Sequence, residues 1–235
     1  MKEFRKNHLA AALCAVLLAG LSTLPCDAQA KLDPSLPEAP IVHRRTLLIF
    51  PGFQTVPDPD IPVARLWPMQ KLKLAYFKTV DPSFLVETLA FAGFSQGAGY
   101  GPNYGLGPSS FGERVGYSAG NLASTNFFTT GLLPVIFHED PRYFRKGAGS
   151  VGSRVWWALR SEAVAYNDKG RQTPNISNML GFGMSTALAN AYSPESSLTL
   201  GNTSQRLGVK FGIEFVLNLT REFGAVTKPD RGQRP

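Results

Sequence analysis

Residues 203–223, TSQRLGVKFGIEFVLNLTREF, contain the most regular pattern in this chain. Leu207, Phe211 and Phe215 recur every four residues, and the same spacing reaches Phe223. Side chains four apart lie on one face of an α-helix, so the pattern predicts a long helix. Gly224 follows the last apolar residue, as a glycine that ends a helix often does. This stretch therefore favours an all-α fold.

A charged stripe runs beside the apolar one. Arg206, Lys210 and Glu214 each precede a residue of the apolar stripe by one position. The segment 209–215 also alternates between polar and apolar residues, which is typical of a strand. The four-residue repeat is longer than an ordinary strand, and its length favours the helix.

Outside this stretch, comparable patterns predict further helices. They cover residues 67–80, a second helix that begins after the break at 81–83, residues 110–137, residues 150–166 and residues 175–192. Ser110 and Glu113 have the spacing of a capping box. Gly112, Gly116 and Gly120 lie four apart and predict a smooth face for close helix contact. We therefore expect a compact bundle of about five to seven short helices packed through Gly, Ala and Ser.

The N-terminal segment 1–30 resembles a secretory signal peptide. It begins with basic residues, continues with an apolar run at 9–21 and ends on Ala28-Gln29-Ala30. The pattern predicts cleavage after Ala30 and export to the periplasm or outer envelope. Two alternatives remain open, namely lipid attachment at Cys26 and an uncleaved N-terminal anchor.

Cleavage after Ala30 changes the chemistry of the product. Cys14 and Cys26 both leave, so the mature chain has no disulfide, no thiol nucleophile and no cysteine metal ligand. Three basic and two acidic residues also leave, which lowers the net charge from +7 to +6. A modest positive charge is compatible with an anionic membrane surface but is not the concentrated basic patch of a nucleic-acid-binding protein.

The mature chain divides into three parts by composition. Residues 31–66 are rich in proline and predict an extended lead-in, within which the apolar run 46–50 has the character of a short strand. Residues 67–225 form the expected helical domain. Residues 226–235 predict a flexible basic tail.

Three long stretches carry no charge, namely 88–112, 115–137 and 172–194. Each is long enough to cross a bilayer, yet each contains many Gly, Ser, Thr and Asn residues. Buried helices that pack through small residues explain the composition equally well. The sequence leaves both interpretations open.

The densest group of polar residues follows the apolar segment 132–137. Its candidate residues are His138, Glu139, Asp140, Arg142, Tyr143 and Arg145. A histidine beside two acids suits acid–base chemistry. The same residues also suit a structural clamp, in which Asp140 accepts backbone hydrogen bonds at a turn and the arginines pair with the acids. The clamp is the favoured interpretation.

Other chemistry finds little support in the sequence. The mature chain has only His43 and His138 as histidines, and no HExxH or EF-hand spacing occurs. The G-x-S-x-G spacing occurs at 93–97 and 116–120, but neither stretch follows a predicted strand, so neither has the context of a nucleophile elbow, and no Walker pattern occurs. The glycines at 97–101 follow a helical pattern and not a strand, which argues against a dinucleotide loop. We assign no catalytic residue, metal or cofactor.

The segment LLPVIFHEDPRYFRKGAGSVGSR, residues 132–154, resembles the signature of a family of secreted bacterial proteins. Members carry a similar "LLP…H(E/Q)DPRYFR.G.GS" block. The similarity extends through "TPNISNMLG" at 173–181 to "LTREFG" at 219–224 and spans about residues 44–224. It departs from the pattern at Gly52-Phe53 and after Gly224. The resemblance implies secretion but no established activity.

The predicted helix 150–166 contains the candidate residues for a membrane interface. Trp156 and Trp157 are suited to the depth of lipid headgroups, and Arg154 and Arg160 are suited to phosphates. In the alternative interpretation the tryptophans belong to the core and the arginines to a solvated surface.

These observations favour a non-catalytic, exported, cell-envelope-associated protein with a structural or interaction role. Its expected partner is an anionic membrane surface or an envelope component, and no nucleic acid is expected because of the export signal. A binding protein for a lipid or another apolar ligand is the first alternative. A hydrolase-like enzyme centred on His138 is the second. The oligomeric state is left open.

Overall fold

The computed structural model describes residues 32–33, 45–46, 50–56, 63–105 and 107–224. The predicted signal peptide at 1–30, the tail at 226–235 and most of the proline-rich segment 31–66 lie outside the described residues. The described part is mostly helical, which confirms the predicted all-α fold.

The helices follow one another along the chain with short connections. They are α1 Pro68–Val80, α2 Pro82–Gly97, α3 Pro108–Asn126, α4 Leu133–Ile136, α5 Val151–Arg160, α6 Ile176–Ala191 and α7 Leu200–Phe223. A π-helical turn, Phe127–Leu132, joins α3 to α4, so residues 108–136 form one continuous rod. The break predicted at residues 81–83 separates α1 from α2, and Gly224 follows the end of α7 as predicted.

Short strands lie beside the helices. They are β1 Leu32–Asp33, β2 Arg45–Thr46, β3 Phe50–Pro51, β4 Thr55–Val56, β5 Val63–Ala64, β6 Glu139–Asp140, β7 Tyr143–Phe144, β8 Val164–Asn167 and β9 Gln172–Pro174. The lead-in forms parallel pairs β1–β5 and β4–β7 and the antiparallel pair β2–β3. Strands β6, β8 and β9 form an antiparallel sheet. The β4–β7 pair joins the lead-in to the polar segment at 138–145.

Side-chain caps explain where several helices begin. Asp81 accepts a hydrogen bond from the amide of Ser83 at the start of α2. Asn175 caps α6 and Thr199 caps α7, which begins at Leu200, three residues before its predicted start. Each oxygen satisfies an amide that lacks a partner in the first helical turn.

Three local predictions are wrong. Ser110 is not the cap of α3, because the helix already begins at Pro108 and the Ser110 hydroxyl donates to the Tyr104 carbonyl. Helix α5 stops at Arg160 rather than 166, since β8 pairs with two neighbouring strands from Val164 onward. Gly224 ends α7 at the predicted position, but with an ordinary negative φ and not in the left-handed conformation that such a glycine often adopts.

The prediction that Gly112, Gly116 and Gly120 form a surface for close helix packing is also wrong. Added Cβ atoms at Gly112 and Gly116 meet open space, and one at Gly120 meets only the Tyr192 ring. Close packing occurs instead at two glycines that the pattern did not single out. A Cβ at Gly131 lies 3.1 Å from the Ala75 Cβ, and one at Gly181 lies 2.6 Å from Thr129 Cγ2. Small residues therefore allow close approach where the π-helical turn meets α1 and α6.

The most unusual feature of the fold is the distribution of polarity. Buried side chains of the described residues are more often polar or charged than apolar, and many large apolar side chains are exposed. In α7, Arg206, Lys210, Asn218 and Glu222 are buried, whereas the predicted apolar stripe is only partly covered. The helix is thus correctly predicted, but its charged stripe faces inward.

The structure also bears on the uncharged stretches. The stretch 88–112 is divided between α2, a loop and α3. Within the described ranges, none of the helices combines the length and the apolarity needed to span a bilayer.

Gly181 provides a test of the close contact between α6 and the π-helical turn. Gly181→Ala places a methyl group against Thr129, including its backbone nitrogen at 3.1 Å, and we expect a loss of about 1–3 kcal/mol in the free energy of unfolding. Gly183→Ala lies on the exposed side of the same helix and is expected to gain about 0.5–1 kcal/mol. Urea denaturation measures the unfolding free energy of both variants. If the two changes stabilise the chain equally, Gly181 is not in close contact with Thr129.

Candidate functional site

The polar segment 138–145 turns His138 away from its acidic neighbours. His138 has a left-handed backbone with φ of 56°, and its side chain is 79% exposed. Its Nδ1 lies 3.7 Å from Oδ2 of Asp168, an acid from the turn after β8. Glu139 and Asp140 are buried. The structure therefore separates the histidine from the two acids with which the sequence grouped it.

Glu139 caps a helix from outside that helix. Its two carboxylate oxygens accept hydrogen bonds from the amides of Ile176, at 3.1 Å, and Ser177, at 3.0 Å. These are the first free amides of α6, where the helix dipole also favours a negative charge. Glu139 thus fixes the start of α6 against β6.

Asp140 and Arg142 form a buried ion pair. Arg142 donates through Nε at 2.9 Å and through a terminal nitrogen at 2.6 Å, and its backbone amide donates to the same carboxylate. Burial alone would lower the pKa of Arg142, but the Asp140 carboxylate outweighs this effect and raises it. Arg142 also donates to the Ala64 carbonyl of β5. The pair has the geometry of the clamp that the sequence favours.

Tyr143 and Arg145 meet a residue that the sequence analysis missed, the fully buried Glu222 of α7. The Tyr143 hydroxyl donates to the Glu222 carboxylate at 2.9 Å, and Arg145 donates to the Glu222 carbonyl at 2.8 Å. Burial would raise the pKa of Glu222, but hydrogen bonds from Arg154, the Lys146 amide and Tyr143 lower it. Glu222 ties the polar segment to the last helix.

A cavity lies beside this segment, and we call it the polar cavity. It offers about 80 Å³ to the centre of a water molecule. Its lining includes Glu139, Asp140, Arg142, Tyr143, Arg160 and Glu214. The acids that line it are held by arginines or backbone amides, so their lone pairs already have partners. The described residues contain no group of three or more His, Cys, Asp or Glu side chains that could hold a metal ion.

Two acids at the polar cavity have pKa values shifted in opposite directions. Glu162 is buried and accepts from Asn218 at 2.6 Å, and burial together with the nearby Glu214 raises its pKa well above the usual value. Burial would also raise the pKa of Glu214, but Arg221, 2.6 Å away, and Lys78 lower it. The surroundings therefore favour the neutral form of Glu162 and the ionised form of Glu214.

The four membrane-interface candidates do not share one surface. Trp156 is exposed, but Trp157 donates to the Phe144 carbonyl at 2.8 Å. Arg154 pairs with Glu222 at 2.8 Å, and Arg160 is buried and donates to Gln172. Three of the four candidates therefore have protein partners, and a membrane-interface role for this helix stays a prediction.

A second cavity, which we call the lysine cavity, lies between α2, α3, α6 and α7. It also offers about 80 Å³ to the centre of a water molecule. Lys210 lines it and donates to Asn121 at 2.7 Å, Thr125 at 2.7 Å and Ser185 at 2.8 Å. All three partners are neutral, and burial lowers the pKa of Lys210 to about 7. Sequence analysis placed Lys210 only on a charged stripe and did not predict this cavity.

No protein-family model matches the chain, and the curated proteins and solved structures compared with it include no match. The resemblance carried by residues 132–154 stays a prediction.

Asp140 and His138 give contrasting tests of the clamp. Asp140→Asn leaves the buried Arg142 cation without its counter-charge, so we expect a loss of about 3 kcal/mol in the free energy of unfolding. His138→Gln changes an exposed side chain and is expected to alter stability by less than about 0.5 kcal/mol. Urea denaturation of both variants at neutral pH measures the difference. Parent-like unfolding of Asp140→Asn contradicts the clamp.

Lys210 predicts a pH-dependent stability. The pKa of Lys210 is about 7 in the folded chain, against the ordinary lysine value of 10.5 that applies to the unfolded chain. Between pH 7 and pH 10.5 the unfolded chain therefore binds one more proton than the folded chain. Stability from this group is therefore lowest below pH 7 and rises by up to about 1.4 kcal/mol per pH unit above it.

Lys210→Met removes that contribution, since methionine does not titrate. We expect urea unfolding of the parent to show the rise between about pH 7 and pH 9, and the variant to lack it. Lys73→Met, which removes an exposed lysine, is the control and should keep the rise. Identical pH profiles for the parent and Lys210→Met contradict a neutralised buried lysine.

Proposed function

We propose that this protein is a non-catalytic, exported component of the cell envelope that associates with a lipid bilayer through the outer faces of its helices. One observation carries the proposal, which is the inward polar and outward apolar orientation of the helices. Large apolar side chains of water-soluble proteins are usually buried, and extended exposed apolar surface marks a contact with lipid or protein.

The exposed apolar residues form stripes along individual helices. The outer apolar stripes, as we call them, contain Met69, Tyr76 and Val80 on α1, Leu85 and Leu89 on α2, and Leu180, Met184 and Leu188 on α6. The spacing in each is three to four residues or a multiple of it, so each stripe is one helix face. Three separate helices with the same outward apolarity favour a shared apolar environment over isolated surface residues.

The buried faces of these helices contain polar side chains among apolar ones. Lys71 of α1 is buried and pairs with Asp168 at 2.7 Å, and Ser185 and Thr186 of α6 are buried. Polar groups inside lipid-associated helix bundles likewise face the bundle interior, where other protein groups satisfy them. This arrangement supports a bilayer as the environment of the outer stripes.

Charge supports an anionic bilayer. The chain has a formal net charge of +7, and basic residues near a membrane surface are attracted to anionic headgroups. The proposal does not require Arg154 and Arg160 to bind lipid headgroups, because the outer stripes supply the apolar contact with the bilayer.

Two parts of the proposal have a different basis. Export is inferred from the sequence pattern at 1–30. The absence of a catalytic role is inferred from the acids of the polar cavity, whose oxygens already accept hydrogen bonds.

Vesicle flotation tests the proposal. We expect the full chain to float with vesicles of phosphatidylcholine and phosphatidylglycerol, and less with phosphatidylcholine alone. Leu180→Ser/Met184→Ser/Leu188→Ser removes one outer stripe and should weaken binding at least about tenfold. Three side chains at about 1 kcal/mol each contribute about 3 kcal/mol, which exceeds the 1.4 kcal/mol of a tenfold change. Gln205→Ser changes an exposed side chain on α7, outside the outer apolar stripes, and should bind like the parent.

A chain that stays in the aqueous fraction with both vesicle types overturns the proposal. Sedimentation of the same samples without lipid identifies the alternative, in which the stripes contact further copies of the chain. In that case the triple variant forms smaller oligomers than the parent, and neither protein floats with the vesicles.

A further inference from the structure

The lysine cavity contains cations without acidic partners. Arg114, Arg206 and Lys210 are only 4%, 3% and 9% exposed. Lys210 and Arg206 line the cavity, and Arg114 contacts two of its lining residues, donating to the Ser95 hydroxyl at 2.6 Å and the Tyr100 carbonyl at 3.2 Å. Within the described chain, no ion pair forms with any of the three.

Several other cations of this protein have counter-ions. Lys71 pairs with Asp168, Arg142 with Asp140 and Arg154 with Glu222. The buried Arg160 has a neutral partner, Gln172. Burying a charge without a counter-charge is expensive, so three such cations in and beside one cavity require an explanation. A negatively charged ligand supplies the missing charge.

One donor in the cavity has no partner at all. Arg206 donates from its terminal nitrogens to Asn190 at 2.6 Å and to the Ser197 carbonyl at 3.3 Å, but its buried Nε–H meets no acceptor in the described residues. Arg206 precedes Lys210 by one helical turn, so the two side chains leave α7 on the same face. An anion at this face accepts from the free Nε–H of Arg206 and lies beside the charge of Lys210, whose three N–H groups already donate to Asn121, Thr125 and Ser185.

The acids of the cavity lie with other cations. Glu87 and Glu214 line the cavity, but Glu214 pairs with Arg221, and Lys78 acts on the pKa values of both acids. Burial alone, with no charged neighbour, lowers the pKa of Lys210. Within the described residues, neither acid therefore forms an ion pair with Lys210 or Arg206.

The remaining wall is apolar. It is formed by Phe91, Leu122, Phe182, Val209, Ile213 and Leu217. The volume of about 80 Å³ open to water centres corresponds to roughly six water molecules. A small molecule with an apolar body and one anionic end fits this combination better than a bare inorganic ion.

We propose that the lysine cavity binds a small amphiphilic carboxylate, with its carboxylate at Lys210 and Arg206 and its hydrocarbon body against the apolar wall. The site narrows the apolar-ligand alternative of the sequence to an acid, and it is independent of membrane association. Lys210 and Arg206 act as binding residues, and no chemical step is involved.

Calorimetric titration of the full chain with hexanoate, hexanamide and inorganic phosphate tests the site. Hexanoate is expected to bind one-to-one and at least tenfold more tightly than hexanamide, which has the same body without the charge. Its affinity should fall between about pH 6 and pH 9, as Lys210 loses its proton. Phosphate should bind at least tenfold more weakly than hexanoate, because it leaves the apolar wall unfilled.

The matched variants are Lys210→Met, which keeps the length of the side chain, and Lys73→Met, which removes an exposed lysine. Lys210→Met should lose at least tenfold in hexanoate affinity and keep its affinity for hexanamide, and Lys73→Met should bind like the parent. Nitrogen NMR of Lys210 in the parent, which needs no variant, should show a pKa that rises when hexanoate binds.

Several outcomes overturn the proposal. Equal affinity for hexanoate and hexanamide means that the negative charge of the ligand does not contribute to binding. Equal affinity for hexanoate and phosphate means that the apolar wall does not contribute. If hexanoate does not bind the parent, or binds Lys210→Met with unchanged affinity, the lysine cavity is not a carboxylate site. A pKa of Lys210 that stays the same when hexanoate binds leads to the same conclusion.

Discussion

The inward polar face of α7 is the constraint on which the packing of the helices depends. Arg206, Lys210, Asn218 and Glu222 lie at intervals of one or two turns and are buried. A buried polar group needs partners, and here the partners come from α3, α6 and the turns around the polar segment 138–145. Each hydrogen bond is directional, so together they fix the rotation of α7 and the position of the elements around it.

Glu222 shows the consequence most clearly. Its carboxylate accepts from Tyr143, Lys146, Gly147 and Arg154, so β7, the following turn and α5 all converge on one residue. The Asp140–Arg142 pair then joins this region to β5, and Glu139 joins it to α6. A polar interior of this kind leaves much of the apolar surface outside. The bilayer proposal follows from that outward surface, and the anion proposal follows from the cations that the interior leaves without acids.

Sequence reasoning identified the polar segment and the clamp of Asp140 with Arg142, but not the contacts of this segment with distant helices. The spacing of Asp140 before Pro141 and Arg142 was enough to predict a clamp, because the interaction is local. Glu222 lies far from Tyr143 in sequence, and nothing in a helix repeat indicates which of its faces a distant loop will contact. The same reason explains why Arg154 and Arg160 were predicted to face lipid, and why Lys210 and the lysine cavity were not predicted.

The sequence by itself determined the helices, since four-residue spacing and the caps at Asp81 and Asn175 act within one or two turns. It also determined the break at residues 81–83 and the end of α7. Only the tertiary structure decided which face of each helix is buried. Periodicity shows that a helix has an apolar and a polar face, but not which of the two is buried. That depends on whether water, lipid or a polar protein interior surrounds the helix. Here the buried ion pairs and hydrogen bonds outweigh the usual burial of the apolar face, and the charged stripe of α7 lies inside.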